Sequence, residues 1–168
     1  MRALLKSALP LVLAISTSCG DDAGSPARPS APLPPTPSRA SISVSVAPNP
    51  VIAQPSPDPR FDWTASWTVV FQESAGVGFN VDFMNLDGTS VAAGVALGTL
   101  NFGAAEIIQS SGTNHVSGRS AHSIPVTVGY RLPQGSRQIA VSVSAQCTDD
   151  LGNVINVGTN FPIALKEQ

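Results

Sequence analysis

The chain has 168 residues, of which only 12% are charged, with a formal net charge of −2 and 15 prolines. It contains no cluster of lysines and arginines, and so lacks the basic footprint that nucleic acid or anionic headgroups require. Nucleic acid is set aside as a partner, and so is direct electrostatic attachment to a membrane surface.

The first element is an export signal. Arg2 and Lys6 precede an apolar run from Ala8 to Ile15, and the small residues Ser16, Thr17 and Ser18 follow. A membrane-spanning helix needs roughly 20 apolar residues, and this shorter run also contains Pro10. The order basic, apolar, small is that of a cleaved secretory signal over residues 1–18. Cleavage removes two of the nine basic residues and none of the eleven acidic ones, so the mature chain is more acidic still.

Ser16-Thr17-Ser18-Cys19 resembles the signature of bacterial lipoproteins, Leu-(Ala/Ser/Thr)-(Gly/Ala/Ser)-Cys, with Ser16 in the place of Leu. The resemblance implies lipidation of Cys19 and an extracytoplasmic chain held to an envelope membrane by its N-terminal lipid. Ser16 and Ser18 also suit ordinary signal peptidase. That route gives a soluble secreted chain, in which a free Cys19 can pair with Cys147 in an oxidising compartment.

Residues 19–40 form the second element. Six prolines (Pro26, Pro29, Pro32, Pro34, Pro35, Pro37) lie among Ser, Ala and Thr, and Leu33 is the one bulky apolar side chain. Such a composition buries too little to offset its chain entropy. It predicts a disordered, semi-extended spacer.

From Ser41 to Gln168 the pattern has period two. Ile42, Val44 and Val46 alternate with serines until Pro48-Asn49-Pro50. Trp63, Ala65, Trp67, Val69 and Phe71 make the strongest strand pattern, with one apolar face. Val77, Phe79, Val81 and Phe83 repeat it, and Leu86-Asp87-Gly88-Thr89 reads as a hairpin turn because Asp-Gly tolerates positive φ. Val91, Ala93, Val95 and Leu97 read as a weaker strand. Residues 101–123 are the least legible: Gly103–Ser110 suits one helical turn or a short strand, and a polar loop follows. Ile124 to Leu132 and Ile139 to Cys147 alternate again, and Asp149-Asp150-Leu151-Gly152-Asn153 turns into a last strand. There Ile155, Val157, Phe161, Ile163 and Leu165 share a face, and Pro162 predicts a sheet edge.

Seven or eight short strands between turns predict an all-β, antiparallel sandwich. All nine aromatic residues fall between Phe61 and Phe161, which supplies a core without a disulfide. The stretch Ile139–Asn153, alternating Val, then Ala, then Asp-x-x-Gly-Asn, resembles the penultimate strand and final turn of bacterial immunoglobulin-like and fibronectin-III-like domains. Trp67–Gly78 is similar to a Glu-x-x-Gly-Val-Gly corner of secreted bacterial proteins of this type. The resemblance implies an immunoglobulin-like sandwich over 41–168 and does not supply a function.

Chemistry-bearing patterns are sparse. His115 and His122 share a polar loop, but a structural zinc needs four ligands. Ser120, His122 and Asp149 can be written as a hydrolase triad, yet no Gly-x-Ser-x-Gly elbow exists. Asp58, Asp62, Asp149 and Asp150 would make a calcium site only if the two ends of the domain that carry them coincide; turn formation accounts for Asp149 and Asp150 without metal. The reading is therefore non-catalytic, with no cofactor. It is a surface-tethered immunoglobulin-like binding or structural module, facing an unidentified protein or polysaccharide. The alternative is a carbohydrate-binding module of an envelope polysaccharide system, which requires an exposed aromatic platform.

Overall fold

The computed structural model describes residues 36–166; the signal segment, Cys19 and the first part of the Pro-rich stretch lie outside them. The period-two patterns become nine strands: β1 (Ile42–Ala47), β2 (Val51–Pro55), β3 (Trp63–Glu73), β4 (Phe79–Ser90), β5 (Ala96–Gly103), β6 (His115–Val116), β7 (Ala121–Tyr130), β8 (Gln138–Asp149) and β9 (Val154–Leu165). One helix, α1 (Ala104–Ser111), lies between β5 and β6 and buries Ile107. The fold is mostly β. Its strands form a mixed, open sheet in the order β1-β3-β2-β9-β8-β4-β5, with β7 also on β3 and β6 on β4.

β3 organises one group of strands. β7 pairs it from Trp63↔Tyr130 to Gln72↔Ala121, and β1 lies on its other side from Ile42↔Glu73 to Ala47↔Thr68. Pro48 and Pro50 then stop the ladder, since proline has no N–H to donate. The chain touches β3 again only at Gln54↔Thr64 and Pro55↔Trp63. Between these points β2 runs parallel to β9, from Val51↔Ile163 to Ala53↔Leu165. The expected wholly antiparallel arrangement is thus corrected at this one pair.

The second group is β9-β8-β4-β5. β8 alternates as its sequence predicts, with Ile139, Val141, Val143, Ala145 and Cys147 buried. Pro162 marks an edge only in part, because β2 joins β9 immediately after it, at Ile163. Apolar faces of the two groups meet in the core. Trp67 of β3 lies edge-on to Phe161 of β9 at 5.3 Å between ring centroids, and Phe71 lies 6.4 Å from Phe79. Burying each such side chain stabilises the fold by about 1.5–3 kcal/mol.

β4 departs most from expectation. A bulge between Val81 and Phe83 shifts its pairing with β8. The extra residue reverses the alternation, so Met84 is fully buried whereas Phe83 is 39% exposed. The Asp87-Gly88 turn does not occur either. Leu86, Asp87 and Gly88 stay in the strand, paired on both sides with β8 and β5. Leu86 is 3% exposed, and burying it outweighs the local turn preference. The chain reverses after Ser90 instead, which leaves Val91 and Val95 exposed in the turn rather than in a strand. In the segment hardest to read, Gly103 ends β5 and Ala104–Ser111 is helical, and β7 begins at Ala121, three residues before the expected alternation.

The bulge makes neighbouring substitutions unequal. Met84→Ala should lower stability by about 2–5 kcal/mol, and Phe83→Ala by about 1 kcal/mol or less. A urea titration that returns the reverse order would place the bulge elsewhere.

Candidate functional site

The acidic residues singled out by sequence do not gather. Asp58 and Asp62 precede β3; Asp58 is bound by Arg60 at 2.7 Å. Asp149 lies beside the far end of that strand, through the segment Ala40-Ser41 that leads into β1. At a strand rise of about 3.3 Å per residue the two ends are roughly 35 Å apart, so the ends carrying the calcium candidates do not coincide. No three His, Cys, Asp or Glu side chains come together among the described residues.

The histidines also part. His115 Nε2 is 3.4 Å from Asp150 Oδ1, an exposed pair that contributes little. His122 Nε2 meets Ser111 Oγ at 2.9 Å. Ser120 Oγ donates to Ser117 O, so Ser120, His122 and Asp149 do not assemble as a triad. Cys147 is fully buried, and burial together with the charge of Asp82 pushes its thiol pKa up to about 12.

Two carboxylates that continue the inward registers of their strands are instead structural. Glu73, the last residue of β3, is 1% exposed. It accepts the amides of Ser41 at 3.0 Å, Ala75 at 2.8 Å, Gly76 at 2.7 Å and Arg119 at 2.8 Å. Gly76 has φ +97°, the left-handed conformation that aims its amide there with least strain. Asp149, the last residue of β8, is 3% exposed. It accepts the amides of Ala40, Leu151 and Asn153 and the side-chain amide of Asn153. Burial alone would raise both pKa values, but these donors outweigh it and hold each at about 2. Neither carboxylate has a cationic partner within salt-bridge distance among the described residues.

One apolar concave feature lies toward the other end of the strands; a larger, more polar one is lined by Trp63, Leu132, Arg137 and Lys166. On the inner face of β4, Leu86 and Gly88 stand opposite Leu100 and Gly98 of β5. The paired glycines place no side chains there, and a cavity of about 290 Å³ results. Trp67, Val128, Tyr130, Ile139, Val141 and Ile163 complete most of its apolar wall, and no charged residue among the described residues lines it. β5 and β7, which do not pair with each other, contribute facing walls. Two polar atoms of these residues, Trp67 Nε1 and Tyr130 Oη, are shut off from solvent and from the cavity, without a hydrogen-bond partner among the described residues. Burial pushes the Tyr130 phenol up to about 12, so it stays protonated at neutral pH. The sequence signal for the cavity was Gly88, read as a turn residue.

The exposed aromatics do not form a platform. Phe61 covers the outer side of Gly129 on β7, and Phe83 stands on the outer face of β4, in the other strand group. Phe102, expected on an irregular stretch, is in β5 and packs against the core.

No family model matches the chain, and no curated protein matches it. Among solved structures, the structural-genomics target SoR45 aligns with TM-score 0.58 and 11% identity over 74% of this chain and 87% of its own. A protein assigned as ApaA from Bordetella pertussis aligns with TM-score 0.57 and 11% identity over 77% of this chain and 97% of its own. At that identity the likeness shows a shared fold alone.

The carboxylates generate a pH prediction. A carboxyl whose pKa falls on folding adds stability that is complete above its unfolded value and lost as pH falls toward its folded value. For Glu73 that window runs from 4.5 down to about 2. Glu73→Gln presents an NH2 to amide donors and should cost about 2–3 kcal/mol at neutral pH. Its loss of stability between pH 5 and pH 3 should be shallower than that of the wild type. Parallel acid limbs in urea titrations would mean that Glu73 is not the titrating group.

Proposed function

We propose that the protein is a non-catalytic extracytoplasmic lipoprotein, anchored through Cys19, that presents an immunoglobulin-like β-sandwich as a binding module. The anchor reading rests on the order of residues 2–22, and none of the described residues depends on it. The sandwich reading is supported by the two strand groups, which meet through Trp67 and Phe161, and by the first strand, which leaves one group at Pro48–Pro50 to join the other.

The observation that carries the binding reading is the separation of two ends. The chain enters at the end where Ala40 and Ser41 donate to Asp149 and Glu73. Arg39 and Ser38 also bond there, to Val154 O and Asn153 Nδ2. The apolar cavity sits roughly 20–30 Å away along β3 and β4, remote from Ala40 and Ser41. A module held at one end and concave toward the other suits ligand presentation away from a membrane.

Detergent-phase partitioning tests the anchor. The protein should enter the detergent phase, since two or more acyl chains anchor stably at about 0.8 kcal/mol per buried methylene. Cys19→Ala should stay in the aqueous phase. A mature chain that is unlipidated and two daltons lighter than its reduced form would show a disulfide to Cys147 and defeat the anchor.

A further inference from the structure

We propose that the loop joining β4 to β5 is a membrane-inserting tip. Val91–Ala96 enter the apolar layer of an anionic lipid bilayer, while Trp63, Arg137 and Lys166 beside them meet the headgroups.

The composition of the loop comes first. Val91-Ala92-Ala93-Gly94-Val95-Ala96 carries no polar side chain, and every one of these residues is exposed. Val91 and Val95 are 53% and 51% exposed. A surface that meets only water does not carry so long an apolar run without a functional reason.

The backbone of the loop is prepared for a medium without water. The Ser90 amide donates to Val95 O at 2.9 Å, the Gly94 amide to Ser90 O at 2.8 Å and the Val91 amide to Gln138 O at 3.1 Å. The loop thus closes on itself and onto β8, and these groups enter lipid already paired.

Lipid is chosen over a protein partner by the side chains. Protein interfaces draw their affinity from tryptophan, tyrosine and arginine anchors seated in pockets, and the tip offers only valine, alanine and glycine. A bilayer requires apolar surface and no particular shape.

The surroundings of the tip suit the headgroup layer. Ser90 Oγ lies 2.6 Å from Ser136 Oγ, and Val91 is bonded to Gln138, so Arg137 stands at the base of the tip. Arg137 shares with Trp63, Leu132 and Lys166 a hollow that no acidic residue lines among the described residues. Neither cation has an acidic partner within salt-bridge distance among the described residues. Tryptophan favours the membrane–water boundary, and lysine and arginine reach the headgroups from there. The two cations are far apart in the sequence, which therefore shows no basic cluster; folding makes the pair.

Position completes the case. The tip lies beside the first residue of β8, roughly 35 Å along that strand from Asp149 and the entering chain. In an anchored chain it faces away from the membrane that holds the anchor and toward a second bilayer. Contact with lipid does not itself depend on Cys19.

The full-length Cys19→Ala protein, given one new thiol by Val95→Cys, is labelled there with the environment-sensitive fluorophore NBD. Cys147 is fully buried and does not compete. Vesicles of mixed phosphatidylcholine and phosphatidylglycerol should shift the emission to shorter wavelength and raise it severalfold. The same label on Asn156→Cys, exposed on β9, should not respond. Adding Val91→Asp should weaken vesicle binding of the Val95-labelled protein about tenfold. Arg137→Gln and Lys166→Gln should each weaken it about fivefold. All these positions are exposed, so the variants should fold, verified by melting.

A Val95 label that stays in water with anionic vesicles overturns the proposal. So does an equal response at Asn156, since the domain would then adhere without a preferred end. Binding unchanged by Val91→Asp would remove the tip from the contact. Equal binding to vesicles of phosphatidylcholine alone would overturn the anionic assignment. Because the protein tested lacks Cys19, none of these results bears on lipidation.

Discussion

Two buried, amide-bound carboxylates hold the domain's entry point, and the rest of the structure depends on them. Glu73 and Asp149 each end a strand, one in each group, and each occupies an inward-facing position that its strand otherwise fills with apolar residues. Successive amides of the incoming chain, Ala40 and Ser41, donate one to each carboxylate. The chain thereby ties the ends of β3 and β8 together before its own first strand begins. Protonating either carboxyl weakens the amide bonds and leaves a polar group in a site that excludes water. A buried charge is tolerated here because backbone dipoles surround it, as at a helix N-terminus.

This arrangement gives physical content to two motifs that were legible only as resemblances. In Glu73-Ser-Ala-Gly76, the carboxylate binds the amides of the corner that follows it, and Gly76 supplies the backbone conformation. In Asp149-Asp-Leu-Gly-Asn153, the carboxylate binds the amides of Leu151 and Asn153 and closes the turn. Local self-bonding explains why each acid precedes a turn. It does not explain their burial, which follows from the strand register and from Ala40 and Ser41, distant in sequence. The register was readable from the sequence. The partners were not, because nothing local to residues 73 or 149 points to residues 40 and 41.

The same division runs through the fold. β3, β7 and β8 were readable because each buries one face along its whole length, so alternation and burial agree. β4 was not, because it carries a bulge: one extra residue moves Met84 inward and Phe83 outward. Tertiary pairing also overrode the Asp87-Gly88 turn preference, since ending the strand at residue 86 would forfeit pairing with both β5 and β8. The parallel β2–β9 contact was equally hidden, although Pro48 and Pro50 marked where the first strand leaves β3.

The misread glycine links fold to proposed function. A turn glycine is kept for its backbone conformation, and replacing it strains the chain. Gly88 has no such need: it sits in an ordinary strand, and a side chain would fit. Glycine in a strand interior costs about 1 kcal/mol or less relative to a β-former, and it also forfeits packing. Here it stands opposite a second glycine, Gly98, beside a tryptophan whose indole N–H has no partner among the described residues. A core optimised for stability alone would fill this space and pair that donor. Stability has been given up at one place on the inner face, and what it leaves open is an apolar cavity beside Trp67. That combination is disadvantageous in a purely structural spacer domain and useful in one that receives a ligand.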